Sequence, residues 1–177
     1  MEQNMSYWQT AKESQYLDRK SARKKPSELL KHLIAFANAD GGQLVIGIED
    51  DKQDNIITGF KDGKAYPIEE FKKIDREMRE TPLDLSFEEI PVVNYKGEDD
   101  FILIISVELS SNRVIAAPND AVYLRQGDET VKLSYEQRNQ LSYDKGQRFF
   151  EDEVVPDASL EDIDVSLVQD FKNRFDI

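Results

Sequence analysis

Ala35-Phe36-Ala37-Asn38-Ala39-Asp40-Gly41-Gly42-Gln43-Leu44-Val45-Ile46-Gly47-Ile48-Glu49-Asp50 is the stretch whose reading decides the fold class. On its N-terminal side, Leu29, Leu30, Leu33, Ile34, Phe36 and Ala37 recur at helical spacing and predict a helix from about Pro26 to Ala39. Proline suits the first turn, where its missing N–H has no partner to lose. Asn38 to Gly42 ends that helix, because glycine accepts the left-handed conformation that helix ends favour. Gln43 to Asp50 then reads as a strand buried on both faces over most of its length. Gly47 inside it marks a close approach by another backbone. A helix turned by a glycine pair into a buried strand is the core of a mixed α/β unit.

The rest of the chain fits around this unit. Glu13 to Lys20 reads as a short strand entering the domain, followed by a basic loop that ends at Pro26. Tyr7 and Trp8 anchor an N-terminal stretch that otherwise carries little pattern. Ile56 and Ile57 restart a strand that Gly59 ends. Ile68, Phe71, Ile74 and Met78 predict a helix over Pro67 to Arg79. Leu83 to Tyr95 and Asp100 to Leu109 predict a hairpin turned at Lys96-Gly97-Glu98-Asp99. Ala121 to Arg125 and Val131 to Leu133 read as two short strands around Gly127. Ser134 with Gln137 three residues on matches a capping box, so a helix starts there and reaches about Lys145, with Gly146 at its end. The expected architecture is α/β (α+β), a mixed sheet with flanking helices, over residues 1–148. Residues 149–177 read as an acidic linker holding Pro156, then a helix over about Val165 to Phe175. The apolar stripe of that helix, Val165, Val168, Phe171 and Phe175, either folds back or leads into a further C-terminal domain.

The chain has 177 residues and a net charge of −13, a balance that on its face opposes nucleic-acid phosphates. The charge is segregated, however. From Glu151 onward nine acidic residues face two basic ones, whereas Arg19 to Lys31 holds six basic residues against Glu28 alone. A basic patch can therefore exist on this acidic protein. Cysteine is absent, which excludes disulfides, thiolate zinc sites and thiol nucleophiles. No apolar run approaches the ~20 residues a membrane helix needs. The N-terminus shows no apolar signal segment. A cytoplasmic location is the expectation.

Three segments together resemble the Schlafen-type AlbA family, with order and spacing in agreement from about Tyr7 to Gln147. They are Glu13-Ser-Gln-Tyr-Leu-Asp18-Arg-Lys20, the stretch from Ala35 to Asp50, and Val122-Tyr-Leu-Arg125-Gln-Gly127 with its capped helix. Phe36, Asn38, Gly41, Gly42 and Gly47 are the structural signature. The resemblance implies a nucleic-acid-binding (DNA-binding) regulatory module of bacterial transcriptional regulators or RecG-related proteins. Such proteins often continue into an ATPase-like region and a winged helix. It also implies a catalytic alternative, because vertebrate Schlafen proteins use paired lobes to cleave structured RNA with a divalent metal. Their carboxylates fall on Glu13, Asp18 and Asp50 here, which would hold Mg or Mn. Asp18 is one methylene shorter than the glutamate of the family pattern, and Arg19 stands where an aromatic is usual. With a single lobe present, a paired groove would need a homodimer. A dimerisation module without ligand is a third reading.

The side chains allow the same alternatives. Hard cations prefer carboxylate oxygens, and Lys20 could stabilise negative charge developing on a phosphate. In a chain with 36 acidic residues the same carboxylates also read as solvated turn residues. Arg19, Lys20, Arg23, Lys24 and Lys25 are candidate phosphate contacts, with Arg125 joining the same surface. Equally, they make a solvated loop or an intramolecular partner for the acidic tail. The Asn38-to-Gly42 turn sits at the C-terminal end of a helix, where the dipole disfavours anions. There is no Walker-type lysine, so the glycines read as structural and Asn38 as a partner for backbone groups around the turn. His32, the only histidine, reads as a packing or surface residue.

Overall fold

The computed structural model describes residues 5–49, 55–76, 78, 81–146, 166 and 173. The chain divides into two compact units, Met1–Gln147 and Arg148–Ile177. The elements below belong to the first. The acidic linker lies outside the described residues, as does all of the expected terminal helix but Ser166 and Asn173.

A four-stranded sheet in the order β1-β2-β6-β5 organises the first unit. Its strands are β1 (Leu17–Lys20), β2 (Gly42–Ile46), β5 (Leu85–Val93) and β6 (Asp99–Val107). β1 runs parallel to β2, and the other pairs are antiparallel, so the sheet is mixed as expected. Helix α2 (Pro26–Asn38) makes the parallel crossover. Alternation along the strands gives the sheet two apolar faces. Leu44, Ile46, Leu103 and Ile105 pack with Leu29, Leu33 and Phe36 of α2. Leu17, Val45, Ile102 and Ile104 face the other way, against Trp8. Trp8 is 1% exposed and is the anchor expected of it. It sits on a short helix, α1 (Met5–Thr10), that the sequence pattern does not announce.

The buried strand after the glycine pair does not run unbroken to Asp50. It breaks at Gly47, whose φ of +105° suits glycine, into β2 and β3 (Ile48–Glu49). Gly47 donates its N–H to Lys20 O, and its own carbonyl accepts the N–H groups of Thr58 and Gly59, each at 2.9 Å. A Cβ there would lie 3.4 Å from the Gly59 Cα, which is the close backbone approach expected. β3 pairs instead with β4 (Ile56–Ile57). Asp50 itself lies outside the described residues.

The helix expected over Pro67 to Arg79 is a single turn, α3 (Ile68–Phe71), followed by turns closed by three-residue bonds such as Ile74 N–H to Phe71 O. The apolar stripe survives this change, with Phe71, Ile74 and Met78 all buried. The hairpin of β5 and β6 forms as read, and the two short strands read around Gly127 form as β7 (Tyr123–Gln126) and β8 (Glu129–Lys132), paired antiparallel. The capping box opens α4 (Tyr135–Asp144), with Ser134 and Gln137 each accepting the other's backbone N–H. Gly41, at φ +77°, ends α2 against β6, where a Cβ would sit 2.7 Å from Val107 O. No helix among the described residues is long and apolar enough to cross a membrane.

Candidate functional site

β1 lies at one edge of the sheet, and its alternation sorts four residues of the sequence signal. Leu17 and Arg19 face the Trp8 side, while Asp18 and Lys20 face the side covered by α2. Arg19 is 2% exposed, and its guanidinium donates to Trp8 O and Ala11 O. It fastens α1 and the following loop to the sheet, so the expectation that it tracks phosphate fails on burial.

Asp18 is 1% exposed and sits at the centre of a charged cluster. Lys20 Nζ donates to its Oδ1 at 2.5 Å. His32 Nδ1, on the neighbouring face of α2, lies 3.1 Å from its Oδ2, and Arg125 Nη1, on β7, 3.2 Å from the same oxygen. Thr130 of β8 adds its hydroxyl, 3.0 Å from His32 Nδ1. Burial alone would raise the Asp18 pKa; the His32 hydrogen bond and the Lys20 ammonium outweigh it and hold the carboxyl well below the usual range. Glu13 joins from the loop before β1, accepting the Arg19 N–H at 2.8 Å. Burial, and then the nearby Asp18 charge, push Glu13 up to about 6 despite that hydrogen bond.

Arg125 is buried as deeply as Asp18. Its Nε and Nη2 donate to Ser14 O at 3.1 and 3.0 Å, and its guanidinium lies 5.0 Å from the Phe36 ring centroid. It too is unavailable to a nucleic-acid backbone, and it ties β7 to the β1 edge. Phe36 thereby links two parts of the sequence signature, and a Cβ on Gly42 would fall 2.5 Å from its ring. Asn38 is buried, but not to serve its own turn. Its side-chain amide donates to Ile115 O and Tyr123 O at 2.8 and 2.9 Å, and its Oδ1 accepts the Ile115 N–H at 2.8 Å.

The basic loop is divided. Arg23 is held by Glu49 at 2.9 Å and by Asp62, which raises its pKa, the Asp62 hydrogen bond being the largest cause. Lys24 and Lys25 are exposed. Lys20 reaches the surface with about a fifth of its side chain, at 21% exposure.

Of the three carboxylates expected to hold Mg or Mn, only Glu13 and Asp18 are among the described residues. Both Asp18 oxygens are already taken by cationic groups, and among the described residues no group of three or more His, Asp or Glu side chains is arranged to hold a metal ion. Asp50 lies outside those residues. What the geometry assembles is a carboxylate–imidazole pair flanked by an ammonium. The histidine and threonine in it were missed because their partners lie far off in sequence.

The Schlafen, AlbA_2 family profile matches residues 13–134, which spans β1 to the start of α4. The chain belongs to this family. The match supports a nucleic-acid-related domain. No curated protein matches. Among solved structures, the AlbA_2 domain is similar to the DIP2311 protein from Corynebacterium diphtheriae, with a TM-score of 0.50 and 19% identity over 90% of this chain. That likeness is one of fold, and the chain spans 33% of that protein's length.

Proposed function

We propose that the domain is a nucleic-acid-binding module of a regulatory protein, of the transcriptional-regulator or RecG-related kind. The observation that carries this reading is the exposure of Lys24 and Lys25 in the loop that leaves β1, four and five residues after Lys20. These three lysines are the phosphate contacts, since Arg19 and Arg125 are buried and Arg23 is held by two carboxylates. The contacts position the domain on a backbone and carry no sequence information. Three phosphates neutralised correspond to a log–log salt slope of about −2 to −3.

The test is binding of the full chain to duplex DNA and to an RNA hairpin across a salt series. The wild type binds with that slope, and a Lys24→Glu/Lys25→Glu double variant loses about two units of it. A flat salt response, or a double variant that binds like wild type, overturns the reading.

A further inference from the structure

The two outer strands of the four-stranded sheet are finished differently. β1 is four residues long, and Arg125 caps its open side, donating to Ser14 O and Leu17 O. β5, at the opposite edge, is nine residues long and meets β6 on one side only. Asn94 N–H donates to Glu98 O at one end of the β5–β6 register, and Glu108 N–H to Asp84 O at the other, so the even-numbered residues of β5 direct their backbone groups at β6. Those of Leu85, Phe87 and Glu89 therefore point outward, and among the described residues they meet no hydrogen-bond partner. Pro91 has the same outward parity, so the N–H it lacks is missing from the free edge and not from the ladder. On the N-terminal side of Pro91 the edge is open. Phe87, in the middle of that stretch, is 36% exposed, a large apolar side chain left at the rim of the sheet.

We propose that this half of β5 pairs with its own copy in a second chain, antiparallel about a twofold axis at Phe87, which joins two four-stranded sheets into one of eight strands. The register follows from the residues of the strand. With Phe87 opposite its copy, Leu85 stands opposite Glu89 and Ser86 opposite Glu88, and no like charges meet directly. Centring the axis one residue earlier sets Asp84 against Glu88. Moving it one or two residues later sets Glu88 or Glu89 against itself and brings Pro91 into the hydrogen-bonded ladder. In the Phe87 register, Leu85, Phe87 and Glu89 of the two chains exchange about six main-chain hydrogen bonds across the axis. Glu89 enters already paired with Lys72, at 2.7 Å. The Phe87 rings lie on the face where Leu85 joins the core, and pairing takes aromatic area of each chain out of water. The assembly closes at two copies, because Arg125 keeps the β1 edge from extending the sheet. The loop carrying Lys24 and Lys25 leaves β1 at the far edge, so pairing and nucleic-acid binding use different surfaces.

The test is the mass of the full chain by sedimentation equilibrium, up to about 0.5 mM, beside Phe87→Glu and Phe87→Pro. Wild type is expected to move from monomer to dimer and to stop there. Phe87→Glu sets two carboxylates on the axis and weakens the dimer at least about tenfold. Phe87→Pro removes an outward N–H and leaves the β5–β6 ladder whole, so association is lost while the melting temperature stays near wild type. If Phe87→Pro melts early, Phe87→Glu gives the same readout. The absence of natural cysteine supplies a second measurement. Phe87→Cys faces its copy across ~5.5 Å between Cα atoms, within disulfide reach, and oxidises to a covalent dimer. Val93→Cys, on the same strand at a position 58% exposed, has no counterpart across the axis and stays monomeric. A monomer throughout the series, a mass that climbs past the dimer, association undiminished in both variants, or equal cross-linking at the two positions overturns the proposal. None of these results bears on binding through Lys24 and Lys25.

Discussion

Asp18 and Asp100 are both aspartates buried on the same sheet, and they are satisfied in opposite ways. Asp100, at the start of β6, accepts the backbone N–H groups of Phe60, Lys61 and Phe101 and the side-chain amide of Asn94. Burial alone would raise its pKa, but these neutral donors lower it. Asp18 is held instead by an ammonium, a guanidinium and an imidazole. Fixed backbone dipoles stabilise a charge and offer no chemistry of their own. Ionisable side chains stabilise it while keeping protons that can move. The Asp100 cradle is therefore architecture that folds the β4–α3 segment onto the hairpin, whereas the Asp18 cluster ties β1, α2 and β7 together through charged side chains.

The strongest way to break this contrast is Arg125→Met, which leaves Asp18 buried without its deepest partner. We expect a loss of about 3–5 kcal/mol in denaturant unfolding. Asp100→Asn keeps the shape but weakens the charge-assisted hydrogen bonds, and should cost roughly 2–3 kcal/mol by the same measurement. Both aspartates have lowered pKa values, so the stability they contribute is present above the ordinary value of 3.8 and is lost as pH falls below it. Asp100→Asn should flatten that acid loss.

Glu13 has the opposite sign. Folding raises its pKa from 4.5 to about 6, so the folded state holds the proton longer than the unfolded chain. Wild-type stability should therefore fall as pH rises through that window, by about 1 kcal/mol once solvent screening of this partly exposed carboxyl is allowed for. Glu13→Gln keeps an acceptor for the Arg19 N–H and removes the titration. Melting curves from pH 4.5 to 6.5 should show the two proteins diverging. The smallest effect is that of Thr130→Val, which deletes hydroxyl contacts to His32 at 3.0 Å and Arg125 at 3.4 Å. We expect a loss of about 1 kcal/mol, with the Asp18–His32 contact intact.

The local grammar of this chain was legible in its sequence. The α2 stripe, the glycine turn, the β5–β6 hairpin and the capping box all depend on residues within a few positions of one another, and all formed as read. The break at Gly47 was half visible: the glycine signalled a close approach, but not that its carbonyl would turn to Thr58 and Gly59. The stripe of Ile68, Phe71, Ile74 and Met78 marked the buried side chains and not the backbone, because turns closed by three-residue bonds bury much the same face as an α-helix. Lys20 was identified beside Asp18 because two residues on a strand share a face. From the sequence His32 reads as a packing or surface residue, and Arg125 as a phosphate contact joining the basic surface. Their partner Asp18 lies on another element, 107 residues from Arg125, and no local pattern reports that distance.

Asn38 has one more consequence. Its amide spans α2, the Ile115 segment and the strand that carries Arg125, so those three pieces cannot separate singly without stranding polar atoms in the interior. They should open as one cooperative body. The Ile115 backbone amide will then exchange with deuterium only as fast as the whole unit unfolds, while the exposed ends of the β7–β8 hairpin exchange early.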